Sequence, residues 1–152
     1  MSSFTAHLFY PLVNGLFHTA WWSHAEKRHH WTMRALRWCA ERGHLQAQSQ
    51  IGHLLYFRGV NVQAKLDGVG FIVRAAEAGD SKAQYQLARI WEQGFQHVGP
   101  DLNQARAWYE KAAEQHHPLA ISRLISAYSE GGLASSVDAA KVKYWLGVQS
   151  QL

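Results

Sequence analysis

Cysteine is nearly absent from this 152-residue chain, with Cys39 the single example. One thiol excludes an intrachain disulfide and any cysteine cluster able to hold a metal, and it fits a reducing compartment. Charge is also sparse, at 17% of residues, while 47% are hydrophobic, which describes a folded chain and not a disordered one. No window reaches the roughly 18 apolar residues needed to span a bilayer. The apolar opening "MSSFTAHLFYPLVNGLFHTAWW" lacks a basic leader, and Pro11, Asn14, Gly15 and His18 interrupt it. It therefore reads as part of the fold, and the expected location is the cytoplasm.

Signatures of chemistry are missing too. The eleven carboxylates are scattered, and no Ser/His/Asp context, phosphate loop or dinucleotide fingerprint accompanies them. "GVGF", Gly68 to Phe71, is too short to cradle a phosphate. The ten histidines include the adjacent pairs His29-His30 and His116-His117. Neighbours on a helix point about 100° apart, so neither pair makes an i, i+4 ligand couple. His24 and His29 are also poorly spaced. No catalytic residue, metal site or cofactor is nominated, and the expectation is a protein that is not an enzyme.

What the chain has instead is repetition. "AAEAGDSKAQYQLARIWEQG", Ala75 to Gly94, returns as "AAEQHHPLAISRLISAYSEG", Ala112 to Gly131. With Cys39-Ala40, Ala75-Ala76 and Ala112-Ala113 as anchors, the steps are 36 and 37 residues. Gly43, Gly79 and His116 share a turn position; Ala47, Ala83 and Ala120 share another; Ile51, Leu87 and Leu124 share a third. Phe71, Trp108 and Trp145 align upstream, so a fourth unit begins near the C-terminus and stops after one helix.

Each unit reads as two helices. Asp101 with Gln104 is a capping-box pattern, Pro118 suits a first helical position, and Gly131-Gly132 suits a left-handed end. Asp80 and Gly94 take the same start and stop roles one unit earlier, and "SSVD" caps the last helix. Ala105, Trp108, Ala112 and Ala113 are read as one buried face, and Ala120, Leu124, Ala127 and Tyr128 as another. Cys39 stands where alanine stands elsewhere, as a small core residue and not a reactive thiol. The tryptophans are expected mostly in the core.

This order of small pair, glycine turn, spaced alanine, leucine, aromatic and terminal glycine resembles the Sel-one-like repeat family over about residues 28 to 150. The resemblance implies an all-α, right-handed α-solenoid of stacked antiparallel helical hairpins, related in architecture to tetratricopeptide repeats. It also implies a scaffold or adaptor without shared catalytic residues. The first unit departs by placing Tyr56 and Gly59 one residue late, the third by carrying His116 in place of glycine, and the second by Gly68 and Gly70 inside a helix. The expected organisation is a capping segment at 1–22 and a repeat domain at 23–152.

Register then points to a surface. Opposite the alanine face fall His30, Met33 and Arg37; Leu66, Val69 and Val73; Asn103, Arg106 and Glu110; Ala140, Lys143 and Gly147. The second stripe is wholly apolar and expects cover. Either the N-terminal segment with Leu12, Leu16, Phe17, Trp21 and Trp22 folds over it, or a partner protein, peptide or second copy docks there. In the former case a short helix starts from Pro11, and Ser23 with Glu26 caps the next one. The candidate partner-binding residues are Arg34, Arg37, Leu66, Val69, Val73, Arg106 and Glu110. The mild excess of 15 basic over 11 acidic residues allows two further readings. Nucleic acid or an acidic ligand could bind the Trp-rich basic helix "EKRHHWTMRALRWCAER", or the module could self-assemble.

Overall fold

The computed structural model describes residues 3–18 and 26–152, and the side chains of Ser3, Phe4, Phe17, His18 and residues 26–30 fall outside the description. The boundary at residue 22, the Ser23 cap and the side chains of Phe17, Trp21, Trp22 and His30 therefore lie outside the described residues. Among those that remain, the chain is eight helices: α1 Ser3–His18, α2 Glu26–Glu41, α3 Leu45–Arg58, α4 Val62–Glu77, α5 Ser81–Gln93, α6 Leu102–Glu114, α7 Pro118–Glu130 and α8 Ala139–Gln149. The only extended pairing among them is an isolated bridge between Phe95 and Val98 in the α5–α6 connection. Two compact units result, Met1–Ala78 and Gly79–Leu152.

Caps fix the starts. Asp80 accepts from the Ala83 amide at 2.7 Å, Asp101 from Asn103 and Gln104, and Asp138 from Ala140 and Lys141. Each carboxylate satisfies amide donors that the first helical turn leaves open. Pro118 opens α7 at the position where its missing N–H is harmless. Stops follow the repeat as well. After α2 the His44 amide donates to the Cys39 carbonyl at 3.1 Å, and after α6 the His117 amide donates to Ala112 at 3.1 Å. Both are the six-to-one bond of a Schellman ending, which needs a left-handed residue just before it. Gly43 fills that place at φ +83° and His116 at φ +60°, so the histidine adopts the glycine conformation of its repeat position.

In the first unit Ala6, Tyr10 and Val13 of α1 share a core with Leu36, Cys39, Ala40, Ala47, Ile51 and Phe71. The helix α1 starts at Ser3, not at Pro11, and holds that proline in its interior. Pro11 cannot donate to the His7 carbonyl, a defect that packing against α2 offsets. Helices α3 and α4 meet through glycines. A methyl group on Gly68 would stand 2.6 Å from the Tyr56 amide nitrogen, and one on Gly52 would stand 2.8 Å from Ile72 Cγ1. Gly68 thus serves a backbone-to-backbone approach and is no weakness of the helix, whereas Gly70 faces open space.

In the second unit Ala105, Tyr109, Ala112, Ala113, Ala120, Ile121, Leu124, Ala127, Tyr128 and Trp145 form the core. The α7 face matches its sequence reading. On α6 the buried aromatic is Tyr109, and Trp108 only packs partly buried against the edge. The tryptophan expectation is corrected more widely: of the described ones Trp145 alone is fully buried, and Trp31 is 64% exposed. A wide indole ring fits poorly at an alanine-lined crossing, and its stem covers the edge instead. Carboxylates bind the helices across the core edge. Glu92 accepts from Tyr109 at 2.6 Å and from two Arg123 nitrogens at 2.6 and 3.0 Å; Glu110 accepts from Tyr128, whose oxygen accepts from Lys141 at 3.2 Å. Burial first, and then the Glu92 hydrogen bond, hold the Tyr109 hydroxyl protonated well above its ordinary range.

Candidate functional site: the groove between α2 and α4

Two helices of the first unit, α2 and α4, enclose a surface groove of about 510 Å³ lined by Arg37, Gln63, Leu66, Asp67, Phe71 and Arg74 among others. The repeat creates it: the alanine faces turn inward, so the opposite faces of the first helices are left to line a depression. Phe71 is buried and forms the floor. The guanidinium of Arg74 lies 4.5 Å from the centre of its ring, and that of Arg37 lies 5.9 Å away.

Arg37 spans the groove. One of its terminal nitrogens donates to Asp67 on α4, and its Nε donates to Glu41 on its own helix at 3.2 Å. Asp67 also accepts from Gln63 at 2.9 Å. That hydrogen bond, followed by the Arg37 contact, keeps the Asp67 carboxyl below its usual range, and the Asp67 hydrogen bond raises Arg37 in turn. Both partners are substantially exposed, so the pair stabilises the fold by at most about 1 kcal/mol. Its larger effect is to fix the rim, which offers paired charge, an aromatic floor and one apolar edge at Leu66, 44% exposed. Such a groove can hold a side chain and hydrogen-bond a backbone beside it.

The sequence-selected residues separate in space. Arg37 and Leu66 come together here, and Val69 and Val73 lie half-buried on the same α4. Arg34 projects instead toward α1, beside Trp31. Arg106 and Glu110 belong to the second unit, where Arg106 donates to the carbonyls of Leu133 and Ala134 at 3.3 and 2.8 Å and Glu110 holds Tyr128. The N-terminal helix docks on α2, and it reaches α3 where Gln50 donates to Asn14 at 2.8 Å. Arg74 was not singled out from sequence, although its place directly before the Ala75-Ala76 pair and three residues after Phe71 would have marked it.

His44 was also missed. It is buried, caps α3 by accepting from the Ala47 amide at 3.3 Å, and stacks on Tyr10 of α1 at 4.0 Å. Burial first, then proximity to His7, lower its proton affinity. No group of three or more His, Cys, Asp or Glu side chains suited to a metal occurs among the described residues. Nor is any described helix long and apolar enough to cross a membrane.

Helical hairpins on a 36- to 37-residue repeat, with a groove between the first helices α2 and α4 of the first unit, define an all-α solenoid of the protein-interaction kind. Residues 45–80 and 81–117 match the family model of the Sel1 repeat. The chain is a Sel1-repeat protein, and repeats of this family mediate protein–protein contacts. The matched units begin at α3 and α5, half a hairpin out of phase with the α2–α3 reading of the repeat. Solved structures agree. A Sel1 repeat protein from Oxalobacter formigenes superposes with a TM-score of 0.75 at 24% identity, over 91% of this chain and 56% of that one. A protective antigen present in uropathogenic Escherichia coli strains, c5321, with the same fold, gives 0.66 at 26% identity over 79% and 26%. The Saccharomyces cerevisiae chitin synthase regulator SKT5 is 33% identical over 105 residues, which is 63% of this chain and 15% of that protein. The chain thus spans about half or less of the length of each of these relatives.

Proposed function

We propose that the chain is a non-catalytic scaffold or adaptor that holds a segment of another protein against its first helices, with Arg37, Leu66 and Arg74 around Phe71 as the contact centre. The observation that carries this reading is the groove itself: an aromatic floor under two guanidinium groups, with an apolar edge left in water. Val69 and Val73 extend the same helix, and Arg106 and Glu110 continue the register on α6, where they already hold loop and core groups. The likeness to a protein named as a regulator of an enzyme fits a chain that acts by contact. The lone, buried Cys39 suits work in the cytoplasm, where its thiol stays reduced.

The test is capture from nuclease-treated host lysate on wild type and on Leu66→Asp/Arg74→Glu, two exposed positions whose replacement leaves the core intact. Partners held by wild type and lost by the variant, with an unchanged thermal midpoint, support the reading. The same partners on both would end it, and signal that vanishes with nuclease would move the activity to nucleic acid.

A further inference from the structure

A second groove lies on the other side of α2, and its chemistry differs. Phe9 and Val13 of α1 face Trp31, Ala35, Trp38 and Cys39 of α2 across an apolar channel of about 370 Å³. Val13 and Cys39 are buried at its floor, while Phe9 at 55% exposure and Trp31 at 64% stand at its rim. Trp31, Arg34, Ala35 and Trp38 recur at i, i+3, i+4 and i+7, which makes one stripe of α2. Arg34 stands 5.3 Å from the Trp31 ring, and Arg42 stands 3.8 Å from the Trp38 ring. From Trp31 to Trp38 the stripe runs about 10 Å, two helical turns. No carboxylate lines this groove, and Arg34 has no carboxylate partner among the described residues.

We infer that the α1–α2 groove binds an amphipathic helix of a partner protein whose apolar stripe is flanked by Asp or Glu. Length, shape and charge each select that occupant. A two-turn apolar channel, lined on α2 from Trp31 to Cys39, matches side chains at i, i+3, i+4 and i+7 of an incoming helix. Its floor lies below its aromatic rim, so a flat lipid surface would touch Phe9 and Trp31 and leave Val13 and Cys39 unfilled. Arg34 at the rim, with Arg42 beside Trp38, favours an acidic flank, and residues 1–78, with eight Lys and Arg against four Asp and Glu, repel a second copy of themselves. The inference shares with the proposed function only the premise that the chain binds proteins, and it uses a different surface.

The experiment is selection of displayed 16-residue amphipathic peptides on the full chain, followed by affinity measurement with the enriched peptides. The expected result is an acidic consensus around an apolar stripe, bound about tenfold more weakly by Arg34→Glu and by Trp31→Ser. Both positions are exposed, so these variants fold. Lysine-flanked versions of the same peptides should regain affinity on Arg34→Glu, and Leu66→Asp/Arg74→Glu should leave binding unchanged, which separates this groove from the one between α2 and α4. Absence of an acidic consensus, or indifference to Arg34→Glu, overturns the inference. So does sedimentation with phosphatidylserine vesicles that Trp31→Ser abolishes while no peptide is enriched, because the face would then be a lipid contact.

Discussion

Residues 1–78 hold eight Lys and Arg against four Asp and Glu, whereas residues 79–152 hold seven of each, so the whole net charge of +4 belongs to the first unit. The same division runs through the polar contacts. In the second unit the Tyr109 hydroxyl and Arg123 close on Glu92 and the Tyr128 hydroxyl on Glu110, so these carboxylates hold helices together. In the first, Arg34, Arg42 and Arg74 lie over aromatic rings, and Leu66, Phe9 and Trp31 stay in water. One repeat architecture thus carries two kinds of polar contact: groups that find carboxylate partners tie helices together, and those lying over aromatic rings are the ones proposed above to meet another molecule.

The largest expected effect breaks the first unit at its glycine crossing. Gly68→Val drives a branched side chain into the α3 backbone and should cost about 3 kcal/mol, since overpacking at a backbone contact has little room to relax. Hydrogen exchange would show protection lost in residues 45–77 well before residues 102–130; equal loss in both would mean that the units unfold as one. Next is Glu92→Ala, which strands the Tyr109 hydroxyl and the Arg123 guanidinium. Its expected cost is about 2 kcal/mol in urea unfolding. The matching change in the first unit, Asp67→Ala, should cost less, at most about 1 kcal/mol, because that pair is only half-buried.

Acid tests both units together. Burial lowers the proton affinity of His44 and of His117, so the unfolded chain, whose histidines titrate near 6.5, binds protons that the fold refuses. Their contribution is complete above that pH and is lost as pH falls through it toward the depressed folded values. Thermal midpoints should drop from pH 7 to pH 5, and His44→Asn, which keeps a capping oxygen for Ala47 without a titrating ring, should flatten the first unit's share. A midpoint independent of pH in wild type would contradict the burial of both rings. The smallest effect is His116→Gly, expected to stabilise by about 0.5 kcal/mol by relieving a left-handed side chain, seen as a higher urea midpoint at constant slope.

Much of this was legible in the sequence, for reasons of period. The 36- and 37-residue steps located the hairpins and the Asp caps, and the turn shared by Gly43, Gly79 and His116 emerged because a turn position repeats more faithfully than a surface one; its left-handed conformation came only with the structure. Arg37 and Leu66 were found through register, since the face opposite a buried alanine stripe must look outward. What escaped was decided by size and by neighbours. Choosing Tyr109 over Trp108 needs the width of the crossing, and Gly68 looked like a helix breaker until its partner Gly52 was placed beside it. The extent of α1 ran through Pro11 against local propensity, because Ala6, Tyr10 and Val13 found a core. The groove between α1 and α2 could not be foreseen while that helix was placed too late.

The crossing of Gly52 and Gly68 also limits how a protein of this kind can diversify. Two helices that touch through backbone leave no rotamer to adjust and no side chain to trim, so their separation does not drift by small substitutions. Under the binding roles proposed above, selection acting on partner choice is confined to the rim, where Leu66, Arg74 or Arg34 can change singly without moving the frame. A lineage of such chains would exchange partners by altering a few exposed positions while the spacing of its helices stayed the same.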